Sequence, residues 1–235
     1  MKKFLVLILG LLLMGSGAYF VVEGDLFMLN EVTIDTDLGI KESEILAYSQ
    51  LSRRTNLLLM DAAESSRQLS THPLIREATL TKDYPRGIRV SYTLREGLLA
   101  VFYKNKFIIV DDEATALYVN QNQEGLVGLY GLDIQGFNLG YPLNAKEAEL
   151  LKSAIILVRM LQISDFPFDP SLHIEKGHLY LQISRDYKVN FGNGENPEER
   201  FNTFNTIYRE LSKDGVNHGI IDVSIDGAPV FRPFN

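Results

Sequence analysis

The spacing of apolar and polar residues divides the chain into three textures. Phe4 to Val22 is one apolar run of 19 residues without a charge. Coiled as a helix at about 1.5 Å per residue, it comes close to the roughly 30 Å of a bilayer's hydrocarbon core. Residues 27–96 mix short alternating strands with helical periodicity. Residues 97–235 are richer in strands, interrupted by two amphipathic helices. The pattern predicts an α+β protein: a transmembrane helix over 4–22 behind a short tail at 1–3, a small mixed module, then a mostly antiparallel β domain with two helices.

Within the first module, Val32 to Asp35 alternates as a short strand, and Glu42 to Gln50 places Ile45, Leu46 and Ser49 at helical spacing. Asn56 to Leu59 is a brief apolar run, read as a possible short strand. Asp61 then opens a second helix, with Glu64 three residues on as the partner of a capping box. His72-Pro73 ends it, because a residue before proline is pushed out of the α region. Leu74–Lys82 and Gly87–Arg95 read as strands around the turn Asp83-Tyr84-Pro85-Arg86. Ile88, Val90 and Tyr92 alternate with Arg89, Ser91 and Thr93, the mark of a strand with one buried face. The order is β-α-(β)-α-β-β.

In the second module, Ala100–Tyr103 and Phe107–Val110 flank Lys104-Asn105-Lys106 as a hairpin, and Leu117–Val119 follows a turn at Asp111–Ala114. A helix is expected from Asn144, where Asn-Ala-Lys-Glu has capping-box spacing, with Ala148, Leu151, Ile155, Val158 and Leu161 on one face. Strands are expected at Leu172–Glu175, Leu179–Ser184 and Lys188–Phe191. Asn196-Pro197-Glu198-Glu199 opens a helix with Pro at its first position and the stripe Phe201, Phe204, Ile207 and Leu211. Gly219–Ile225 and Ala228–Arg232 are the last extended segments, and the two helices can cover one face of the sheet.

Charge settles the orientation of the first run. Lys2 and Lys3 precede it, whereas Glu23, Asp25 and Glu31 follow, so the positive-inside bias leaves the N-terminus in the cytoplasm and the bulk outside. Gly15-Ser16-Gly17-Ala18 would suit a cleaved signal peptide, but Tyr19-Phe20-Val21-Val22 continues the apolar character and favours a retained anchor. The chain has 23 Lys+Arg against 30 Asp+Glu, so it has no overall attraction for nucleic acid. With no cysteine, thiol nucleophiles, disulfides and Cys-type zinc sites are ruled out.

Candidate chemistry is sparse. His173, Glu175 and His178 could pair around a metal, but no third ligand stands at usable spacing. Asp111-Asp112-Glu113 lacks the alternating oxygen ligands of a calcium loop. Gly192-Asn193-Gly194 resembles a phosphate-cradling loop in composition only, and a strand-to-helix turn explains both glycines. No motif marks a cofactor or a catalytic triad. The informative feature is the end of the chain, where Pro229 within an extended segment suggests an edge strand. Such an edge offers unpaired N–H and C=O groups to a strand of another chain.

Asn56-Leu57-Leu58-Leu59-Met60-Asp61 and His72-Pro73-Leu74-Ile75-Arg76-Glu77-Ala78, set behind the apolar run, resemble the POTRA domain of the bacterial cell-division proteins FtsQ/DivIB. Gly219 to Ser224 with Gly227 to Pro233 is similar to that family's C-terminal β domain, and the short tail at 1–3 is like the clostridial type. Lys41 stands where the family often has Ser or Thr, Arg95-Glu96 inverts a frequent Glu-Arg, and Leu98 replaces a common proline. The resemblance implies a non-enzymatic, single-pass divisome protein that scaffolds and regulates septal peptidoglycan synthesis. It implies FtsL and DivIC/FtsB-type partners, and contact with the septal peptidoglycan synthase and its FtsW-type glycosyltransferase. It also implies β-strand addition at Ser224, Ile225, Gly227, Ala228, Val230 and Phe231. The alternative is a POTRA-containing secretion or assembly factor that chaperones exported chains; that class needs a membrane β-barrel of longer strands than those found after Leu98.

Overall fold

The computed structural model describes residues 8, 10, 12, 25–35, 39–164, 169–216, 218–225 and 229–233. The expected membrane helix at 4–22 lies outside the described residues, apart from Ile8, Gly10 and Leu12, each helical. No helix among the described residues is long and apolar enough to cross a membrane. The chain divides into two compact units between Arg95 and Glu96.

The first unit runs β1 (Glu31–Ile34), α1 (Glu42–Tyr48), α2 (Ala62–Leu69), β2 (Ile75–Asp83) and β3 (Gly87–Leu94). Its sheet has the order β1-β3-β2, with β1 parallel and β2 antiparallel to β3. Ile88, Val90 and Tyr92 face the core as their alternation requires. Each such side chain, when fully buried, stabilises by about 1.5–3 kcal/mol. Ile45, Leu57, Leu69 and Ile75 complete that core. Asn56 to Leu59 is no strand: Asn56 makes a single bridge to Met28, and a turn follows. Lys41 begins α1 without a side-chain cap, leaving Glu42 and Glu44 to meet the positive end of the helix dipole. At α2 the capping box is half made. Asp61 Oδ1 accepts from Ala63 N and Glu64 N, both at 3.0 Å, while Glu64 turns instead to Arg67 and Gln68.

The second unit runs β4 (Leu99–Tyr103), β5 (Lys106–Val110), β6 (Ala116–Asn120), β7 (Val127–Tyr130), β8 (Ile134–Gly136), β9 (Asn144–Ala145), α3 (Ala148–Ile163), β10 (Ser171–Glu175), β11 (His178–Ser184), β12 (Tyr187–Asn190), α4 (Pro197–Lys213), β13 (Gly219–Asp222) and β14 (Val230–Arg232). Nine strands form one sheet in the order β14-β13-β12-β11-β10-β7-β4-β5-β6. It is antiparallel except where β7 meets β4 and β10, and where β12 meets β13. The two helices pack with one face of this sheet in a single core, which includes Leu129, Leu172, Leu181, Val189, Phe201 and Phe204. Hairpin turns at Lys104-Asn105 and Lys176-Gly177 have positive φ at both residues, as tight turns between twisted strands require.

Two helix starts differ from expectation. Asn144-Ala145 is not a cap but strand β9, paired with β8, and Lys146 N donates to Asp133 O at 2.9 Å. Those backbone bonds hold the chain extended, so α3 starts at Ala148 with no side-chain cap at Glu147. Its buried face is also wider than a single stripe, because Leu150, Ala154 and Leu157 enter the core as well. Asn196 does precede α4, but its φ of 49° turns it left-handed and its side chain makes no capping bond. Gly192 and Gly194 are there for close approach: a Cβ on Gly192 would stand 2.7 Å from Ser224 Cβ, and one on Gly194 would stand 2.8 Å from Ser153 Oγ.

Candidate functional site

The two larger sheets have four edge strands, β1 and β2 in the first unit and β6 and β14 in the second, and the fold treats them differently. β1 is only four residues long and, like β14, makes no outer backbone hydrogen bond among the described residues. In the first unit β2 is the longest edge, and two of its outward donors are already taken. Leu80 N donates to Ser66 Oγ at 2.8 Å, and Ala78 N donates to Ser70 Oγ at 3.2 Å, both hydroxyls coming from α2. In the second unit the β6 edge is covered over its first half. Ala116 N donates to Tyr141 O at 3.0 Å, and Gly140 N donates to Ala116 O at 2.8 Å. The opposite edge, β14, pairs with β13 through Ile220–Arg232, Ile221–Phe231 and Asp222–Val230. On its outer side no backbone hydrogen bond is made among the described residues.

A small polar knot anchors this bare edge. Asp222, the last residue of β13, accepts from Ser224 N at 3.0 Å, Ser224 Oγ at 2.5 Å and Asn190 Nδ2 at 3.2 Å. Burial alone would raise the Asp222 pKa. The Ser224 and Asn190 hydrogen bonds and the Arg232 charge outweigh that and hold it below its ordinary value. Asn190 also receives Gly192 N at 2.9 Å through its other side-chain atom, tying the end of β12 to the end of β13. The bond from Ser224 N closes an Asx turn that directs the chain away from β13. At the other end of the pair Gly219 (φ +130°) leaves room for β14: a Cβ there would lie 2.7 Å from both Arg232 O and the Phe231 ring.

The six residues expected to meet a partner fall into three groups. Ile225 is 64 % exposed and Val230 is 40 % exposed, beside the bare edge. Ser224 is half-buried and spends its hydroxyl on Asp222, while Phe231 is half-buried and packs on the core through its ring. Gly227 and Ala228 lie outside the described residues. Asp222, Asn190 and Gly219 escaped sequence reasoning as positioning residues. Only the Asp-x-Ser spacing of an Asx turn hinted at the first of them.

The other candidate clusters are committed to packing. His173 stacks on Tyr130 with ring centroids 5.0 Å apart and contacts Ser171 Oγ at 2.9 Å. Burial lowers its pKa; the Glu175 charge opposes this more weakly, and the Lys188 charge adds to the lowering. Glu175 takes Lys188 Nζ at 2.9 Å, and that ammonium lies 4.0 Å from the Tyr180 ring centroid. Buried Asp111 accepts from Glu113 N at 2.9 Å and Thr115 N at 2.7 Å, shaping the turn before β6. Among the described residues no three His, Asp or Glu side chains converge as metal ligands. The Tyr187 phenol, pushed up to about 12 by burial and then by Tyr208, stays neutral at any physiological pH.

Residues 27–92 match the family described as POTRA domain, FtsQ-type. The chain is 22% identical over 209 residues to the cell division protein DivIB of Clostridium tetani, covering 87% of this chain and 78% of that one. It is 24% identical over 212 residues to DivIB of Clostridium botulinum, covering 87% and 81%. It is 28% identical over 91 residues to the cell division protein FtsQ of Bradyrhizobium diazoefficiens, covering 39% and 27%. The first unit thus matches an FtsQ-type POTRA family, and most of the chain's length is similar to clostridial DivIB cell division proteins.

Proposed function

We propose that the protein is a scaffold of the division machinery, not a catalyst, and that it works by capturing a strand of a partner along β14. The observation that carries this is an edge with no outer hydrogen bonds among the described residues, flanked by exposed Ile225 and Val230. An edge of three residues offers few backbone bonds, each worth about 0.5–1.5 kcal/mol net. Affinity therefore rests on the apolar side chains, since fully burying an Ile or Val adds about 1.5–3 kcal/mol. The partners are an FtsL and DivIC/FtsB-type pair, through which the protein regulates septal peptidoglycan synthesis by the synthase and its FtsW-type glycosyltransferase. The run at 4–22 is its single membrane anchor, with the N-terminus in the cytoplasm and both folded units outside, at the septum.

Ile225→Asp and Val230→Lys test this reading with the purified partner pair, lysine being chosen at 230 because that residue pairs with Asp222. Both side chains are exposed in the free protein, so melting should be unchanged while binding falls by at least tenfold. Unaltered affinity in both variants would sink strand capture at this edge. A fluorescent fusion should form a ring at midcell, and signal spread evenly around the envelope would count against the divisome role.

A further inference from the structure

The first unit carries an apolar patch that its own core does not use. Leu26, Leu58, Leu59 and Tyr84 are each between 40% and 68% exposed. They come from three separate stretches that the fold draws to one end of the sheet. Met28 bridges Asn56, and Leu57 N donates to Phe27 O at 2.8 Å. The Phe27 ring meets Tyr84 edge-on at 6.2 Å, and Arg86 Nε reaches Met28 O at 3.4 Å.

The leucines are not on slack chain. Buried Asn56 accepts Leu58 N at 2.9 Å through Oδ1, and its carbonyl accepts Leu59 N at 3.1 Å and Met60 N at 3.0 Å. Leu57 and Met60 enter the core on either side, so this tight turn fixes Leu58 and Leu59 outward. Holding two leucines in water forgoes the stabilisation of burying them, which calls for something that covers them.

This is also the end at which the chain arrives from the apolar run. Only Glu23 and Gly24 separate Val22 from Asp25, the first residue of a short 3-10 turn. A link of that length spans at most about 10 Å. The headgroup layer is itself roughly 5–8 Å thick, so a bilayer that holds 4–22 stands within reach of Leu26. Charge does not decide the contact. Arg54 and Arg86 are exposed there, as are Asp25, Glu31 and Asp61, and Arg53 is committed to Glu42.

We propose that this end of the first unit docks on the surface of its own membrane, with Leu26, Leu58, Leu59 and Tyr84 entering the boundary between headgroups and acyl chains. The inference rests on the anchor reading of residues 4–22. Leucine supplies apolar area, and tyrosine suits a site with one dry and one wet side. Because charges of both signs surround the patch, the contact depends little on the fraction of anionic lipid. Docking fixes the height and tilt of the unit over the membrane.

The chain has no tryptophan, so one placed at Leu59 reports alone. The full chain bearing Leu59→Trp is reconstituted in phosphatidylethanolamine–phosphatidylglycerol vesicles with or without lipids brominated on the acyl chain. The control is Thr71→Trp, exposed near the start of β2 at the other end of the sheet. The Leu59→Trp emission should be blue-shifted and quenched several-fold more strongly than the control, and Leu26→Trp should behave likewise. Alkaline carbonate extraction is run in parallel. Protein that stays with the vesicles but shows equal quenching at both positions overturns the docking and leaves the anchor standing. Protein released by carbonate overturns the anchor, and the docking with it. A blue shift without lipid quenching means another protein surface covers the patch, and also overturns the proposal.

Discussion

Replacing Ser66 and Ser70 together by Ala should unlock the one long edge that the fold keeps shut. Ser66 Oγ accepts Leu80 N and donates to Ala62 O at 2.7 Å; Ser70 Oγ accepts Ala78 N and donates to Ser66 O at 3.0 Å. Alanine keeps the helix and removes only the acceptors. Both hydrogen bonds are part-buried, so each loss costs about 1 kcal/mol, roughly 2 kcal/mol for the pair. A unit of this size has on the order of 4–10 kcal/mol in all, so it stays folded. Two kcal/mol corresponds to roughly a 30-fold shift in a local opening equilibrium. Hydrogen exchange followed amide by amide is the assay. Ala78 and Leu80 should lose protection while Val90 and Tyr92, on the neighbouring strand, keep theirs. Sedimentation should show concentration-dependent self-association through the uncovered edge. Unchanged exchange at Ala78 and Leu80 would refute the claim that the hydroxyls close this strand.

Three further outcomes are expected. Gly219→Ala puts a methyl against Arg232 O and the Phe231 ring, at a left-handed φ that alanine resists, so β14 should detach at a cost of about 1–3 kcal/mol and partner binding should fall with it; proteolysis after Ser224 would report the loosened strand. His72 is held below its ordinary pKa by burial, against a smaller opposing pull from Glu44, and its Nδ1 accepts Leu74 N at 3.2 Å. A depressed pKa means the neutral ring is the stabilising form, so the first unit should be at full strength above about pH 6.5 and weaken as pH falls through the lower folded value; urea midpoints from pH 7 to 5 should show this slope, and His72→Gln should flatten it. Arg200, buried in α4, donates from Nη1 to Phe191 O at 2.7 Å, so Arg200→Ala leaves both a cavity and an unsatisfied carbonyl; urea unfolding should show a loss of about 3–5 kcal/mol.

Much of the fold is legible because periodicity is local. Ile88, Val90 and Tyr92 declare a half-buried strand, and Phe201 with Phe204 declares the buried stripe of α4, without reference to any distant residue. Capping was less legible. Asn144 has the side chain and spacing of a cap, yet β8 captures its backbone, and a pairing partner elsewhere in the chain overrides a local preference of about 1 kcal/mol. The place of β7 in the interior of the sheet, between β10 and β4 and parallel to both, has no local signature, because strand order is a matter of long-range pairing.

The candidate site divides in the same way. Pro229 in a terminal extended segment already pointed to an edge, and that inference needs only the missing N–H of proline. Which of its residues stand free was decided by packing. Ser224 and Phe231 look as available as Ile225 and Val230 on paper, but one hydroxyl is held by Asp222 and one ring lies on the core. The sequence alone determined the apolar run, the two textures and the existence of a C-terminal edge, because each depends on residues close together along the chain. Only the tertiary structure decided which edges are partly closed, by Ser66 and Ser70 or by the segment around Tyr141, and which are left bare, because hydrogen bonds across an edge join residues that the chain brings together only when it folds.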